Sequence, residues 1–361
     1  TRTLTDGDLN AVPLPIGLRR RRPKPTRMLR SRGSSSGTPH RFRHANGKLG
    51  VFVIGVSWLA TALVGAIVLT QAFGWAGNPS IAAAQSFTPY LSVVVVAVVA
   101  AALWRRRLLL VTVGTAIGVA IAVLGTPLAF PDEQPPPAPN SAGLDVAAVN
   151  LWYQNDRVGD VVGPLDALDA DVIVLAEYTP AHQATLLDSE LAARYPHRIE
   201  RNGDRPTGVA IWSRWPLRDE TTLATYHDSI DATLAGPDGD LRIVAMHMAT
   251  PFDDFDGWRN VLAIARDVGR TTTQPTLLIG DLNASYWHPD FRRLLEAGFV
   301  DAHTAAGSGF STSWPTDGIV PPFVRLDHAL TTAGLVSTAV DDVDVPGSDH
   351  RGLIVSVAPT R

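Results

Sequence analysis

The sequence predicts an α/β domain standing behind an all-α transmembrane region of about three helices. Three observations point there. Composition changes near residue 141: residues 1–140 carry 15 basic and 4 acidic side chains and residues 141–361 carry 16 and 31, so the net charge of −4 hides about +11 followed by about −15. Long uncharged apolar stretches are confined to the first part, whereas in the second part short apolar runs alternate with amphipathic ones, the order of an α/β fold. Several of those short runs end in Asn, Glu, Asp or His.

Taken in order, residues 1–48 are rich in Arg, Ser, Gly and Pro, with Arg19 to Arg22 and Lys24 as a charge block, and predict a disordered basic tail. A Lys/Arg run just ahead of a hydrophobic span reads as a topology signal rather than a nucleic-acid site. Residues 51–73 have the length and apolarity of one bilayer crossing. Residues 86–104 give a second, shorter span unless it draws on residues from 81 onward, and residues 108–130 give a third. Arg105, Arg106 and Arg107 between the last two belong on the cytoplasmic side with the tail. Three spans satisfy that demand and place everything after Phe130 outside. The expectation is a multi-pass protein of the cell membrane with a cytoplasmic N-terminus, an extracytoplasmic catalytic domain and anionic membrane lipids as partners of the basic tail. Residues 131–143, with Pro135, Pro136, Pro137 and Pro139, predict a stiff spacer that lifts the next domain off the lipid.

The soluble part runs over residues 144–358. Strands are predicted at 144–149, 172–176, 208–212, 241–247, 277–279, 326–330 and 353–357, and helices at 158–168, 181–194, 257–268 and 289–297. Apolar residues at consecutive positions in several of these strands imply cover on both faces. The chain has no cysteine, which excludes a disulfide, a thiolate metal site and a thiol nucleophile.

The chemistry sits at the strand ends. Asp281 and Asn283 follow an apolar run two residues apart and so share a face. A phosphate ester repels a nucleophile with its own anionic oxygens, so its hydrolysis needs a cation to neutralise that charge and a base to prepare the water. Glu177 and Asn150 offer one carboxylate and one carboxamide oxygen to Mg²⁺ (or Mn²⁺), with Asp349 as a further candidate ligand. Asp281 is placed to take the proton of the attacking water, and Asn283 to orient that water or the phosphate. His247 and His350 can donate hydrogen bonds to phosphoryl oxygens, with Asp327 fixing the tautomer of His350. Each of these residues has a bland reading alone, as a turn residue or a satisfied core histidine; their joint appearance is what points to a phosphoesterase. By contrast His227, His288, His303 and the Asp253, Asp254, Asp256 cluster read as loop surface. Asp341, Asp342 and Asp344 read as a solvated acidic run, Trp152, Trp258, Trp287 and Trp314 as rim or core, and His328 receives no role.

On Asn150, Leu175 to Glu177, the 208–213 strand, His247 with Pro251 after it, Gly280 to Asn283, Leu326 with Asp327, and Ser348 to His350, residues 144–358 resemble the endonuclease/exonuclease/phosphatase superfamily of metal-dependent phosphodiesterases. The resemblance implies a four-layer α/β/β/α sandwich of two mixed sheets with the site at one rim. Trp152 stands where many nuclease members carry an acidic residue or Asn, which implies one metal rather than two. The sequence of basic tail, three spans, proline-rich spacer and exported domain is similar to the teicoplanin-resistance (VanJ-type) membrane proteins of actinomycetes, which are associated with removing phosphate from the lipid carrier of cell-wall precursors. The leading expectation is therefore a membrane-anchored phosphatase acting on a lipid-linked or small phosphorylated substrate such as undecaprenyl pyrophosphate. An extracytoplasmic nuclease is the alternative. Nucleic acid as a partner is disfavoured by the acidic domain, because such binding rests on Lys and Arg contacts to phosphates, although Arg205, Arg292 and Arg293 could form a patch. A non-catalytic binding module is the second alternative.

Overall fold

A computed structural model describes residues 40–131, 133–223, 227 and 229–361, with side chains from residue 49 onward. Of the predicted basic tail, residues 1–39 lie outside the described residues, and residues 40–48 open the first helix. The chain divides into two compact units, Thr1–Gly50 and Val51–Arg361; the contacts below lie within the second.

Helix α1 (His40–Ala72) contains the uncharged stretch Leu49–Ala72, 24 residues that are long and apolar enough to cross a membrane; at 1.5 Å per residue this is about 36 Å. Helix α2 (Pro79–Ser86) starts with Asn78 accepting the Ile81 amide and Pro79 in the first turn, where its missing N–H costs nothing. Helix α3 (Thr88–Trp104) leaves α2 at 71°. The two helices together are apolar enough for one span bent at Phe87, where Pro89 restarts the helix. Helix α4 (Leu108–Leu124) stops at Gly125, and the short α5 (Thr126–Ala129) follows with Pro127 in its first turn. The predicted third span of residues 108–130 is thus cut to 17 residues, or about 25 Å. Val64, Val68, Val95 and Ile121 form the buried seam between α1, α3 and α4. Gly65 faces Ile117, and Gly114 and Gly118 face Val99 and Val95, small residues that let helices approach closely.

Among the described residues of the second half, twelve strands form two six-stranded sheets. They are β1 (Leu144–Asn150), β2 (Val172–Ala176), β3 (His197–Arg201), β4 (Val209–Ser213), β5 (Leu217–Thr221), β6 (Ser229–Gly236), β7 (Gly239–His247), β8 (Thr276–Asp281), β9 (Val300–Asp301), β10 (Asp327–Thr331), β11 (Leu335–Asp344) and β12 (Arg351–Pro359). One sheet runs β11-β12-β1-β2-β4-β3 and the other β5-β6-β7-β8-β10-β9. The β1–β2 and β7–β8 pairs are parallel and the other pairs antiparallel, so both sheets are mixed. Their facing sides share a core that includes Val146, Val174, Ile211, Ile243, Ile279 and Ala329. The outer side of the first sheet is covered by α6 (Val162–Ala167), α7 (Pro180–Leu187) and α8 (Leu191–Arg194). The outer side of the second is covered by α9 (Phe255–Thr271) and α10 (Pro289–Glu296), with the single turn α11 (Ala302–Ala305) following β9. This is the four-layer α/β/β/α sandwich.

The strands absent from the sequence reading are β3, β5, β6, β9 and β11. β3 and β5 are polar edge strands in which charged side chains meet solvent, the usual protection of a sheet edge. β11 contains Asp341, Asp342 and Asp344, so the acidic run is exposed as expected, but on an edge strand, where Asp342 pairs with Arg325 at 2.6 Å.

The proline-rich segment does not lift the domain away. The Ala138 amide donates to the Pro359 carbonyl at 2.8 Å, and the Ala142 and Gly143 amides donate to the Asp238 carboxylate, so the segment lies along the domain's own surface. The domain rests directly on the helix ends. Arg292 donates to the Gln71 carbonyl at 3.3 Å and side-chain oxygen at 3.2 Å, Arg293 donates to the Gly74 carbonyl, and the Tyr286 hydroxyl donates to the Leu124 carbonyl at 3.1 Å. His288 Nε2 lies 3.0 Å from the Ala82 carbonyl and 3.1 Å from the Ser86 hydroxyl. These groups satisfy carbonyls that a helix C-terminus leaves open, and guanidinium groups there also meet the negative end of the helix dipole. The ends of α1 and α4 and the start of α3 therefore face the domain, with Arg105 to Arg107 at the opposite end of the helices.

Candidate active site

The site follows from strand parity. Ile243, Ala245, Leu277, Ile279 and Ala329 point into the shared core, and continuing that alternation to the strand ends turns His247, Asp281 and Asp327 the same way. Pairing register then sets the three side by side: Asp281 opposes His247 on β7 and Asp327 on β10. Gly280 makes this register achievable, since a Cβ there would sit 2.1 Å from the Met246 carbonyl oxygen and its φ is +135°. From the other sheet, β1 delivers Asn150 at its last residue, and Glu177 follows β2.

Asn150 Nδ2 donates to Glu177 Oε1 and to Asp281 Oδ2, both at 3.0 Å, which ties the two sheets together at the rim. Asp281 Oδ1 accepts the Asn283 amide at 2.8 Å, and the Asn283 side chain donates to the Met248 carbonyl at 2.7 Å. His350 Nδ1 lies 2.8 Å from Asp327 Oδ2, and its Nε2 lies 3.7 Å from Asp281 Oδ2. His247 Nε2 lies 3.7 Å from both Glu177 Oε1 and Asp281 Oδ2. Asp349 is joined through Trp314, whose indole N–H donates to Asp349 Oδ2 at 3.3 Å. Seven of the eight residues singled out in the sequence thus form one connected network, and Asp349 stands beside it. Asn150 differs in detail from its expected part: its carboxamide oxygen accepts the Trp152 amide at 2.9 Å, so it presents its NH₂ group, not its oxygen, to the carboxylates.

Backbone strain collects here. Trp152, Glu177 and Asn283 have φ of 59°, 56° and 45°, three of the seven non-glycine residues at positive φ among the described residues. The Tyr153 amide holds Glu177 Oε2 at 2.8 Å and the Ser348 hydroxyl holds the Asn150 carbonyl at 2.7 Å, so the strained turns are pinned on both sides.

Burial pushes the Asp281 carboxyl up to about 8, with the neighbouring Asp327 charge acting the same way against His350. Burial also opposes charge on His350, but Asp327 and Asp281 outweigh it and lift the imidazole to about 10, so it stays protonated at neutral pH. Asp327 is buried too, yet His350 holds it below the ordinary carboxylate range. His247 is lowered to about 4 by burial and then by the His350 charge, and is neutral. Its favourable tautomer carries the proton on Nε2, facing the two carboxylates. Nδ1 is then the acceptor from His227, whose Nδ1 lies 3.2 Å away.

The donor set fits a hard divalent cation. Glu177, Asp281, Asp327 and Asp349 gather at one rim with no salt bridge to Lys or Arg among the described residues. Asp349 Oδ1 is buried without a partner, and burial, with Glu177 adding to it, raises the Asp349 carboxyl. Atoms of Asp281, Asp327 and His350 also come within 4.8 Å of one another. Because His350 is protonated and already bonded to Asp327, that trio suits proton handling, and Glu177 with Asp349 suits the cation.

The family follows from comparison with known proteins. The sequence profile described as the Endonuclease/Exonuclease/phosphatase family matches residues 147–350, more than half of the chain and all of the site. The chain belongs to the endonuclease/exonuclease/phosphatase family. Family members are hydrolases of phosphoester bonds that typically use divalent metals. Similar solved structures include D. rerio TDP2 humanized by 14 mutations, at 15% identity, covering 60% of this chain and 98% of that one with a TM-score of 0.50. D. rerio TDP2 complexed with a single-strand DNA product is 16% identical, with 60% and 99% covered and a TM-score of 0.50. At these identities the likeness is one of fold. A variant of the 3' phosphatase NExo from Neisseria, bound to a product DNA hairpin, is 17% identical, with 59% and 98% covered and a TM-score of 0.46. Comparison with curated proteins finds no match.

Sequence reasoning missed His227, which lies buried against His247 rather than on a loop surface, and Trp314, which reaches Asp349. His288 and His303, also expected at the surface, are buried as well. Neither His227 nor Trp314 follows an apolar run, so no local pattern marks it. Of the Asp253, Asp254 and Asp256 cluster, Asp254 caps α9 by accepting the Gly257 amide at 2.9 Å. His328 is a packing residue, bonded to Asp301 at 2.7 Å and to the Ala284 carbonyl at 2.9 Å.

Proposed function

We propose that this chain is a membrane-anchored, divalent-metal-dependent phosphoester hydrolase whose catalytic domain faces the extracytoplasmic side, and that it acts on a lipid-linked or small phosphorylated substrate such as the undecaprenyl pyrophosphate carrier. The observation that carries this reading is the seating of the site-bearing domain on one end of three apolar helices, with Arg105 to Arg107 at the other end. Cationic residues stay cytoplasmic, so the domain's end of the helices is the outer one. A site held there meets membrane amphiphiles at high effective concentration. On this reading the protein serves the cell envelope, as VanJ-type proteins do in teicoplanin resistance, and the basic tail meets anionic lipid.

The residues divide the work. Glu177 and Asp349 would hold the Mg²⁺ or Mn²⁺ ion, which would supply neutralisation of phosphoryl charge and stabilisation of the leaving oxygen. Asp281, raised towards neutral pH, takes the proton of the attacking water, and Asn283 orients that water. His350, kept protonated by Asp327, donates from Nε2 to a phosphoryl oxygen, and neutral His247 donates beside it. Asn150 holds Glu177 and Asp281 at hydrogen-bond distance from a common NH₂ group.

The nuclease reading draws on the similar D. rerio structure described with a single-strand DNA product, but residues 141–361 carry 16 basic against 31 acidic side chains, a poor match for a polyanion. Arg292 and Arg293 are engaged with the helix ends and are not free for phosphates. The test sets release of inorganic phosphate from undecaprenyl pyrophosphate beside cleavage of plasmid DNA, using the full chain in lipid nanodiscs. Phosphate release that is abolished by chelator and by Asp281→Asn is the expected result. Faster cleavage of DNA would replace this reading with the nuclease, and a reporter fused at residue 361 that proves cytoplasmic would overturn the orientation.

A further inference from the structure

Where the helices meet the catalytic domain there is a cavity of about 280 Å³, walled by the α2–α3 bend, α5 and the segments that follow β8 and precede β10. Tyr90, Leu128, Trp287, Phe310 and Phe323 supply its apolar wall. Several of its polar groups are engaged elsewhere. Arg325 binds Ser311 and Asp342, His328 binds Asp301 and the Ala284 carbonyl, and the Tyr90 hydroxyl binds the Phe323 carbonyl. Ser285, by contrast, is 2% exposed, and its buried hydroxyl has no hydrogen-bond partner. Such a space suits hydrocarbon, with one polar contact at one end.

Two features say which hydrocarbon. Ser285 stands four residues after Asp281, and His328 directly follows Asp327, so the segments that carry the site on one side form the cavity wall on the other. The phenyl ring of Phe323 lies 5.7 Å from the Trp314 ring, which in turn bonds the Asp349 carboxylate. Secondly, Tyr90 and Phe310 line the cavity and are 44% and 55% exposed, so it opens past them. Phe87, whose ring lies 6.4 Å from that of Tyr90, is exposed, as are Phe73, Trp75 and Phe130 at the domain's end of the helices, where an interfacial belt lies on a membrane protein. The volume is near the lower end for a ligand pocket and holds part of a chain.

We propose that this cavity binds the first segment of the substrate's own hydrocarbon chain, entering laterally at the level of the aromatic residues, with Ser285 meeting the polar end and the phosphate carried on to Asp281. The proposal rests on the reading of the chain as a membrane-anchored phosphoester hydrolase.

The test compares dodecyl phosphate with butyl phosphate as substrates of the full chain in phosphatidylcholine nanodiscs, reading the ratio of their kcat/KM values. Partition into the disc favours the long chain for any enzyme there, so the decisive quantity is the change in that ratio on altering the cavity. Leu128→Trp, which fills it, should lower the ratio about tenfold, the equivalent of two buried methylenes. Phe310→Ala alters an exposed side chain at the mouth and should lower it about threefold by the same reckoning. Ratios unchanged in both variants overturn the proposal and leave the hydrolase standing. Binding is read independently of turnover with dodecyl phosphonate brominated on its chain. It should quench tryptophan fluorescence in the unaltered protein and quench less in Trp287→Phe. If neither phosphate ester is hydrolysed, the functional reading fails, and quenching alone decides the cavity. Equal quenching in both proteins, or the same quenching by brominated phosphatidylcholine alone, overturns the proposal, the second outcome assigning the cavity to a bilayer lipid.

Discussion

Two buried polar regions of this protein look alike in composition and behave as opposites. At the face resting on the helices, His288, His328 and Asp301 are sealed from solvent and, with half-buried Arg292, fully partnered. His328 bridges Asp301 and a carbonyl, Asp301 also accepts the Thr304 amide at 2.8 Å, and His288 accepts the Ser285 amide at 2.9 Å while its other nitrogen meets Ala82. At the rim, His350, Asp327, Asp281, Glu177 and Asp349 are as polar, but Asp281 faces a second carboxylate, Asp349 keeps an orphan oxygen, and the backbone is held at positive φ. Complete partnering reads as architecture. Incomplete partnering, maintained by a surrounding structure that enforces it, reads as chemistry waiting for a cation and a substrate.

If that distinction is right, removing one group from each region should separate activity from stability. Asp281→Asn keeps the shape and removes a carboxyl whose ionised form burial and the Asp327 charge disfavour. Hydrolysis of a phosphate ester should fall about 10²–10⁴-fold, as for loss of a general base, while the melting temperature holds or rises. A variant that retains activity, or one that loses stability in proportion, would break the contrast at its strongest point. His328→Ala should do the reverse. It strands the Asp301 carboxylate, which burial disfavours and His328 now holds well below the ordinary range. Breaking a buried pair on one side costs about 3–5 kcal/mol, read by chemical denaturation, and the folded fraction should turn over at nearly the normal rate.

The two regions also differed in how far the sequence betrayed them. The rim was legible because strand alternation is strict: Ala148, Val174, Ala245, Ile279 and Ala329 face the core, so polar residues continuing that phase had to meet where the strands end. Asn150, His247, Asp281 and Asp327 obey it. The helix-facing region was illegible because its partners are contributed by segments more than 200 residues apart, as in Arg292 with Gln71 and His288 with Ala82. Arg292, Arg293 and His288 carry the composition of a surface helix, and only the carbonyls they meet reveal their place at the junction. Side-chain direction was also beyond reach. The residue type of Asn150 suggests a metal contact through its oxygen, but a tight turn brings the Trp152 amide onto that oxygen instead. Polar edge strands such as β3 and β5 escaped because a strand with one open side need not alternate.

Intermediate in size is the clamp between α10 and α1. Arg292→Ala removes donations to the Gln71 carbonyl and side chain and to the Tyr286 carbonyl. Hydrogen bonds from a charged group contribute about 1.5–3 kcal/mol, so unfolding of the domain should shift by that amount. Protease nicking between the helices and the domain should also accelerate. An unaffected variant would mean that the helix ends are satisfied by water, and that this face is less sealed than its hydrogen bonds indicate.

The smallest effect tests the seal itself through pH. Burial, reinforced by the Arg292 charge, lowers His288 to about 4, against an ordinary value of about 6.5 for an exposed imidazole. As pH falls from about 6.5 towards 4, the unfolded chain takes up a proton that the folded protein refuses, so the unfolded state binds more protons and stability must decline with acidification. One such histidine contributes a slope of about 1.4 kcal/mol per pH unit. His227 and His247 are lowered to about 4 as well and add slopes of the same sign, so the total alone does not identify the source. The difference between the unaltered protein and His288→Gln does. Between pH 4.5 and 6 the variant's stability should decline less steeply by about 1.4 kcal/mol per unit. Parallel curves would mean that His288 already titrates in the folded state, that water reaches the junction of helices and domain, and that the region taken here as architecture is as open to protons as the rim.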